Sequence, residues 1–283
     1  MSKRDELIVS AEWLQANLDR PGLSIVDASW YLPTANRNAF DEYRRAHIPG
    51  AVFFDHDEVA DKSTGLPHSV PKPRQFARAV GAMGIAVDDE IVIYDGPGLF
   101  SSARAWWLFR VMGATNVKIL DGGFKRWSEE GRPVSDQPTK IAPCHFKESP
   151  DLDRVVSIAE MRNIVETASV QIADARPAGR FSGRDNEPRP GMRGGHMPGA
   201  LNVQASDLSK DGSLVSEQDI RALFARQGLD PDRPVVTSCG SGVTAAIISL
   251  ALTSLGKENH RLYDGSWSEW GSLPDTPIVK DEN

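Results

Sequence analysis

Cysteine is scarce in this sequence, with Cys144 and Cys239 the only two in 283 residues. There is no CxxC pair, and the six histidines are scattered without ligand spacing, so the common zinc scaffolds are excluded and no metal is expected. Long apolar runs are missing too. No stretch reaches the roughly 18 apolar residues of a membrane span, and "MSKRDELIVSAEWLQ" has a charged start but neither an apolar core nor a small-residue cleavage site. A cytoplasmic protein with no membrane partner is expected, its thiols free in a reducing compartment. Positive charge is in deficit: 32 Lys and Arg against 39 Asp and Glu give a net charge of −7 and a pI near 5.4. That balance argues against nucleic acid as a partner, although a local basic pocket can sit within an acidic whole. Apolar and charged fractions are those of a globular chain long enough for two domains, and no cofactor is expected.

What is present is a sequence written twice. "AHIPGAVFF" (Ala46 to Phe54) recurs as "GHMPGALNV" (Gly195 to Val203), and "IVIYDGPGLFSSARAWWLFRVMG" from Ile91 recurs in pattern as "VVTSCGSGVTAAIISLALTSLG" from Val235. "LDGGFKRW" (Leu120 to Trp127) likewise returns as "YDGSWSEW" (Tyr263 to Trp270), in the same order and at offsets near 143 to 149 residues. Two homologous domains are expected, residues 1–134 and 154–283, joined by a proline-containing linker over 135–153. In the second copy "VQIAD", "ALNV", "PVVTS" and "HRLYD" read as short buried strands. "SEQDIRALFARQG" from Ser216, with a Ser N-cap, and "VTAAIISLALTSLG" from Val243 read as helices ending at glycine. This alternation predicts an α/β fold: two tandem domains, each a parallel sheet flanked by helices, with ligands beyond the carboxyl ends of the strands.

Duplication supplies an internal control. His47 and His196 share the H-x-P-G-A turn, and Asp27 and Asp174 each close a first strand, so all four are read as structural. Overlaying the long motifs puts Asp95 where Cys239 sits, and only the second copy carries a thiol. In "CGSGVT", Cys239 to Thr244, the two glycines between a strand end and a helix start let backbone N–H groups curl inward, with the helix dipole added. Such a cradle favours an anion, and the nearest would be the thiolate of Cys239, a nucleophile; the other reading is a buried cysteine acting as a small hydrophobe. A cysteine phosphatase would need an arginine about six residues on to grip phosphate, where Ala245 stands. Nothing in the repeat suggests a papain-like protease.

The double H-x-P-G-A turn, the C-G-S-G-V-T-A loop and the paired D-G plus tryptophan endings resemble the two-domain rhodanese superfamily, from about Val9 to Ile278. The Gly-Ser-Gly loop is most similar to its 3-mercaptopyruvate sulfurtransferase branch. The resemblance implies tandem rhodanese-like domains, a non-catalytic first and a catalytic second. It also implies that Cys239 takes sulfur from 3-mercaptopyruvate as a persulfide, releases pyruvate, and passes the sulfur to cyanide or to a thiol acceptor such as thioredoxin.

Thiosulfate-preferring relatives place cationic residues directly after the cysteine. Here Gly240 and Ser241 follow, with Gly242, Val243 and Thr244 completing the loop that would hold substrate. The cationic work is expected from "GRFSGRDNEPRPGMRGG", where the resemblance matches Arg180 and Arg189 to the pair that holds the donor's carboxylate and keto oxygens. A solvated basic loop is the alternative, and it is the reading adopted for Arg184 and Arg193. The first copy also inserts "DHDEVADKSTGLPHSVPKPR" where the second has the shorter "QASDLSKDGSLVS". Within the insert, Asp57 and His68 stand eleven apart, and the resemblance implies that with Ser241 they relay a proton. Trp106, Trp107, Trp127 and Trp270 read as core; Trp267 reads as core with a place beside the substrate as the alternative, and Cys144 as a bystander. Two competing readings are a thiosulfate sulfurtransferase and a non-catalytic rhodanese-type binding module.

Overall fold

The computed structural model describes residues 3–281. The strands are Ile8–Val9 (β1), Leu23–Asp27 (β2), Ala51–Phe53 (β3), Glu90–Tyr94 (β4), Val117–Leu120 (β5), Val155–Val156 (β6), Gln171–Asp174 (β7), Ala200–Asn202 (β8), Ser209–Lys210 (β9), Ser213–Leu214 (β10), Val235–Ser238 (β11) and His260–Tyr263 (β12). The chain groups into two compact units. The first takes the chain up to Asp61, Val70–Leu152 and Asp211–Leu214; the second takes Lys62–Ser69, Asp153–Lys210 and Val215 onward.

The first unit contains a five-stranded sheet ordered β1-β5-β4-β2-β3, the second a five-stranded sheet ordered β6-β12-β11-β7-β8. Every pairing in both is parallel, as the alternation of apolar runs and helical patterns predicted. In the second sheet the chain leaves β7 in one direction and β11 in the other. Their carboxyl ends, where Ser238 lies opposite Asp174, therefore form the switch point at which such sheets bind ligands.

Helix signals in the sequence act as expected at Ser216, whose hydroxyl accepts from the Asp219 N–H to open the helix Glu217–Arg226. The helix expected from Val243 begins instead at Ala245 and runs to Ser254, because the preceding loop uses Val243 and Thr244 for its own path. All ten of its residues are buried, as fits a helix apolar on every side. His47 and His196 are structural. Each pairs by two backbone hydrogen bonds with a strap that follows its copy's last helix, at Ser135 and Val279 respectively, all at 2.9 Å. Each Nδ1 also meets a carbonyl, that of Tyr43 at 2.8 Å or Phe181 at 2.9 Å.

The stretch 135–152 is extended, and it lies along the first unit. Cys144 N–H donates to the Gly81 carbonyl at 2.9 Å, and Phe146 packs edge-on against Phe76 at 5.5 Å. Cys144 is exposed, and both cysteines are free thiols.

Candidate active site

Cys239 follows the last residue of β11 and is 2% exposed. Four contacts fix its backbone and that of Gly240. Trp267 N–H donates to the Cys239 carbonyl at 2.9 Å, and Ser268 donates to the Gly240 carbonyl through N–H at 2.8 Å and Oγ at 2.6 Å. Cys239 N–H donates to Ser266 Oγ at 3.2 Å. The loop carbonyls thus face the helix Ser266–Trp270, and Gly242, at φ +78°, makes the turn that a side chain would strain.

The first unit holds the same frame with a different residue at its head. Phe124 and Lys125 N–H groups take the carbonyls of Asp95 at 2.9 Å and Gly96 at 3.0 Å. The Asp95 carboxylate then accepts from the N–H groups of Gly98 at 2.7 Å, Phe100 at 2.9 Å, Ser101 at 2.7 Å and Ser102 at 2.7 Å. By the repeat these correspond to Gly242, Thr244, Ala245 and Ala246. In the first copy, then, four backbone N–H groups of this strand-loop-helix turn converge on one carboxylate.

His68 reaches the Cys239 loop because its segment, Lys62–Ser69, belongs to the second unit. Thr64 Oγ1 accepts from Leu66 N–H at 3.1 Å and shares a 2.7 Å hydrogen bond with Ser69 Oγ, which closes a tight turn through Gly65 at φ +73°. His68 itself sits at φ +56°, an uncommon backbone for a residue with a Cβ, and is 5% exposed. Its Nδ1 lies 3.0 Å from Ser241 Oγ. Asp57 belongs to the first unit, where Trp30 Nε1 donates to its Oδ2 at 3.2 Å.

Arg180 ends at the same loop: a Cβ built on Gly240 would stand 3.1 Å from Arg180 Nη2. Glu187, absent from the sequence reading, holds it, backed by a second arginine, Arg176, that was also not singled out, and by Asp174. Glu187 Oε2 accepts from Arg180 Nε at 3.0 Å and from Nη2, while Glu187 Oε1 accepts from Arg176 Nη1 at 2.7 Å. Arg176, 1% exposed, also clamps Asp174 through Nη2 at 2.7 Å, and its guanidinium lies over the Trp267 ring at 4.0 Å. The repeat could have revealed Arg176, because "DAR" in the second copy answers "DAS" in the first and puts Ser29 in its place.

Other members of that segment divide. Arg189 is half-buried and Arg184 exposed. Arg193 is not a solvated basic residue as expected. Its guanidinium donates to the carbonyls of Gly271 at 3.2 Å, Thr276 at 3.1 Å and Trp270 at 3.3 Å, so it ties down the segment after the last helix. Trp267 is fully buried, with its Nε1 on the Arg193 carbonyl at 2.9 Å; it is core, as first read. Among the described residues no helix is long and apolar enough to cross a membrane, and no three His, Cys, Asp or Glu side chains gather as metal ligands would.

The rhodanese-like domain matches this chain twice, over residues 10–130 and 157–273. The chain belongs to the rhodanese-like family. A 3-mercaptopyruvate sulfurtransferase of Escherichia coli is 41% identical to this rhodanese-like protein over 271 residues, 95% of this chain and 96% of that one. Thiosulfate/3-mercaptopyruvate sulfurtransferase 1 of Arabidopsis thaliana is 39% identical over 300 residues, 98% of this chain and 79% of that one. The crystal structure of Escherichia coli SseA, described as a 3-mercaptopyruvate sulfotransferase of rhodanese fold, superposes with a TM-score of 0.85 at 39% identity, covering 93% of this chain and 99% of that one. The parallel five-stranded sheets and the tandem repeat are thus those of the family.

Proposed function

We propose that this chain is a sulfurtransferase whose donor is 3-mercaptopyruvate and whose sulfur carrier is Cys239. The second copy, 154–283, is the catalytic domain and the first, 1–134, the non-catalytic one. The Cys239 thiolate attacks the donor's sulfur, a sulfur–sulfur bond forms, and the donor's carbon–sulfur bond breaks with its electron pair leaving on carbon as the enolate of pyruvate. Protonation of that carbon completes pyruvate, and the hydrogen-bonded pair of Ser241 and His68 is positioned to deliver the proton. A thiol of thioredoxin type, or cyanide in an assay, then attacks the outer sulfur and restores the thiolate. A reducing compartment such as the cytoplasm keeps Cys239 available.

The observation that carries this reading is the meeting of Arg180 with the Cys239 loop. The loop offers no charged side chain of its own, yet a guanidinium held by Glu187 stands over Gly240. A donor with a carboxylate beside its transferable sulfur fits that arrangement, and Arg189 would grip its second end. Backbone N–H groups of Gly240, Gly242, Val243 and Thr244 would receive the sulfur; two of their counterparts, Gly98 for Gly242 and Phe100 for Thr244, donate to the Asp95 carboxylate.

Thiocyanate formation from cyanide, compared for 3-mercaptopyruvate and thiosulfate on one preparation, tests the proposal. A higher kcat/KM for 3-mercaptopyruvate is expected. A preference for thiosulfate would transfer the chain to the thiosulfate sulfurtransferases, and no turnover or Cys239 adduct with either donor would leave a binding module.

A further inference from the structure

Ser266 occupies a backbone conformation that the first copy reserves for glycine. Its φ is +49°, in the left-handed region, and at the matching point of "LDGG" Gly123 stands at φ +58°. A serine is disfavoured there, and the side chain it brings is fully buried. That side chain makes two contacts that glycine cannot: Ser266 Oγ donates to the Tyr263 carbonyl at 2.9 Å and accepts from Cys239 N–H at 3.2 Å. The hydroxyl thus stitches the end of β12 to the backbone of the nucleophile. Strain retained at the second copy's position, together with a hydrogen bond to Cys239, which replaces Asp95 of the first copy, points to a role in the reaction rather than in the fold.

We infer that Ser266 is a positioning residue for Cys239: its hydroxyl holds the Cys239 N–H, and with it the direction of the Cα–Cβ bond that carries the sulfur. The inference rests on Cys239 being the nucleophile. Glycine at the matching, likewise positive-φ position of the first copy shows that a helix can start there without the hydroxyl, so Ser266→Gly relieves the backbone while deleting the contact. Ser266→Ala deletes the contact and keeps the strain.

The test uses the full chain in a Cys144→Ser background, so that alkylation by iodoacetamide reads Cys239 alone. Ser266→Gly is expected to melt no lower than its parent, yet to alkylate and turn over 3-mercaptopyruvate about tenfold more slowly, with KM little changed and the pH profile of alkylation displaced. Ser266→Ala should lose as much rate and also melt lower. A purely structural role gives another pattern, in which rate follows melting temperature and Ser266→Gly is as fast as its parent; that result would overturn the inference. If the parent's Cys239 is itself inert to iodoacetamide, the nucleophile assignment falls and the inference falls with it.

Discussion

The loops headed by Asp95 and Cys239 share a frame and differ in what they hold. In each, two N–H groups from the following short helix turn the first two loop carbonyls outward, and a long buried helix begins at the loop's end. The first copy fills its cradle with a side chain of its own. Burial pushes the Asp95 carboxyl up from its usual range while four backbone N–H donors pull it back, so the carboxylate is costly to desolvate and fully engaged. The second copy has the buried thiol of Cys239 in that place. Among the other changes around it are Ser29 to Arg176 and Gly123 to Ser266. Beside Asp27, whose carboxyl burial pushes up to about 6, Ser29 offers only an N–H and a hydroxyl. The matching Asp174 faces a guanidinium that continues through Glu187 to Arg180. The shared frame thus holds a carboxylate in the first copy, and the proposed function rests on the thiol that takes its place in the second and on the guanidinium beside it.

Breaking the second copy should produce the largest effect. Cys239→Ser is expected to lower sulfur transfer from every donor by more than about 10³-fold, the scale on which an activated nucleophile is lost, without lowering the melting temperature. Any residual transfer from 3-mercaptopyruvate above about a hundredth of the parent rate would place the sulfur elsewhere. The mirror experiment, Asp95→Ala, should leave kcat per folded molecule nearly unchanged and lower unfolding stability in urea by about 3 kcal/mol, since buried N–H donors lose their acceptor. Loss of activity without loss of stability would show that the first copy's cradle serves the reaction.

Next in size is the arginine segment that precedes the H-x-P-G-A turn of the second copy. Arg189→Ala should reduce kcat/KM for 3-mercaptopyruvate by about 10- to 100-fold, the worth of one charge-assisted hydrogen bond, and affect thiosulfate less. Equal losses with both donors would contradict a grip on the carboxylate. The same measurement on Glu187→Gln separates holding from binding: Arg180 loses its anchor but keeps its charge, and a drop of about fivefold in kcat/KM is expected, within the worth of a single hydrogen bond.

Much of this was legible in the chain because periodicity and duplication are local signals. The parallel strands, the Ser216 cap, the structural histidines and the place of Cys239 at a strand end all follow from patterns a few residues long. Comparing the copies marked Cys239 against Asp95, and the same comparison extended by three letters would have marked Arg176. Arg193 was misread because an arginine in a glycine-rich loop looks solvated, and nothing nearby announces the carbonyls of residues 270–276 that it collects. Glu187 was missed for a related reason. An acid between two arginines reads as charge balance until burial leaves each of its oxygens a single guanidinium partner. His68 was singled out through the family resemblance, with the insert length beside it, whereas its left-handed backbone, at the end of the turn through Thr64 and Gly65, has no sequence signature.

The smallest difference between the copies sits at their first helices. Ser157 caps Ile158–Thr167 with a full capping box, its hydroxyl accepting from Glu160 N–H at 3.4 Å and its own N–H donating to Glu160 Oε2 at 2.9 Å. Ser10 caps the first copy's helix, but Trp13 stands at the position of Glu160 and no box forms. The Ser157 N–H, and after it Arg261, hold the Glu160 carboxyl down to about 2. A depressed folded value means that the ionised acid contributes stability above its ordinary value of 4.5, and that this contribution fades as pH falls from there towards 2. The site is largely exposed, so the contribution is small, below about 1 kcal/mol. Glu160→Gln keeps the box and removes the charge. Its urea midpoint should lie slightly below the parent's at pH 7, and the gap should have narrowed by pH 3 on its way to closing below about 2. A gap that persists unchanged at pH 3 would assign the difference to the geometry of the cap rather than to its charge.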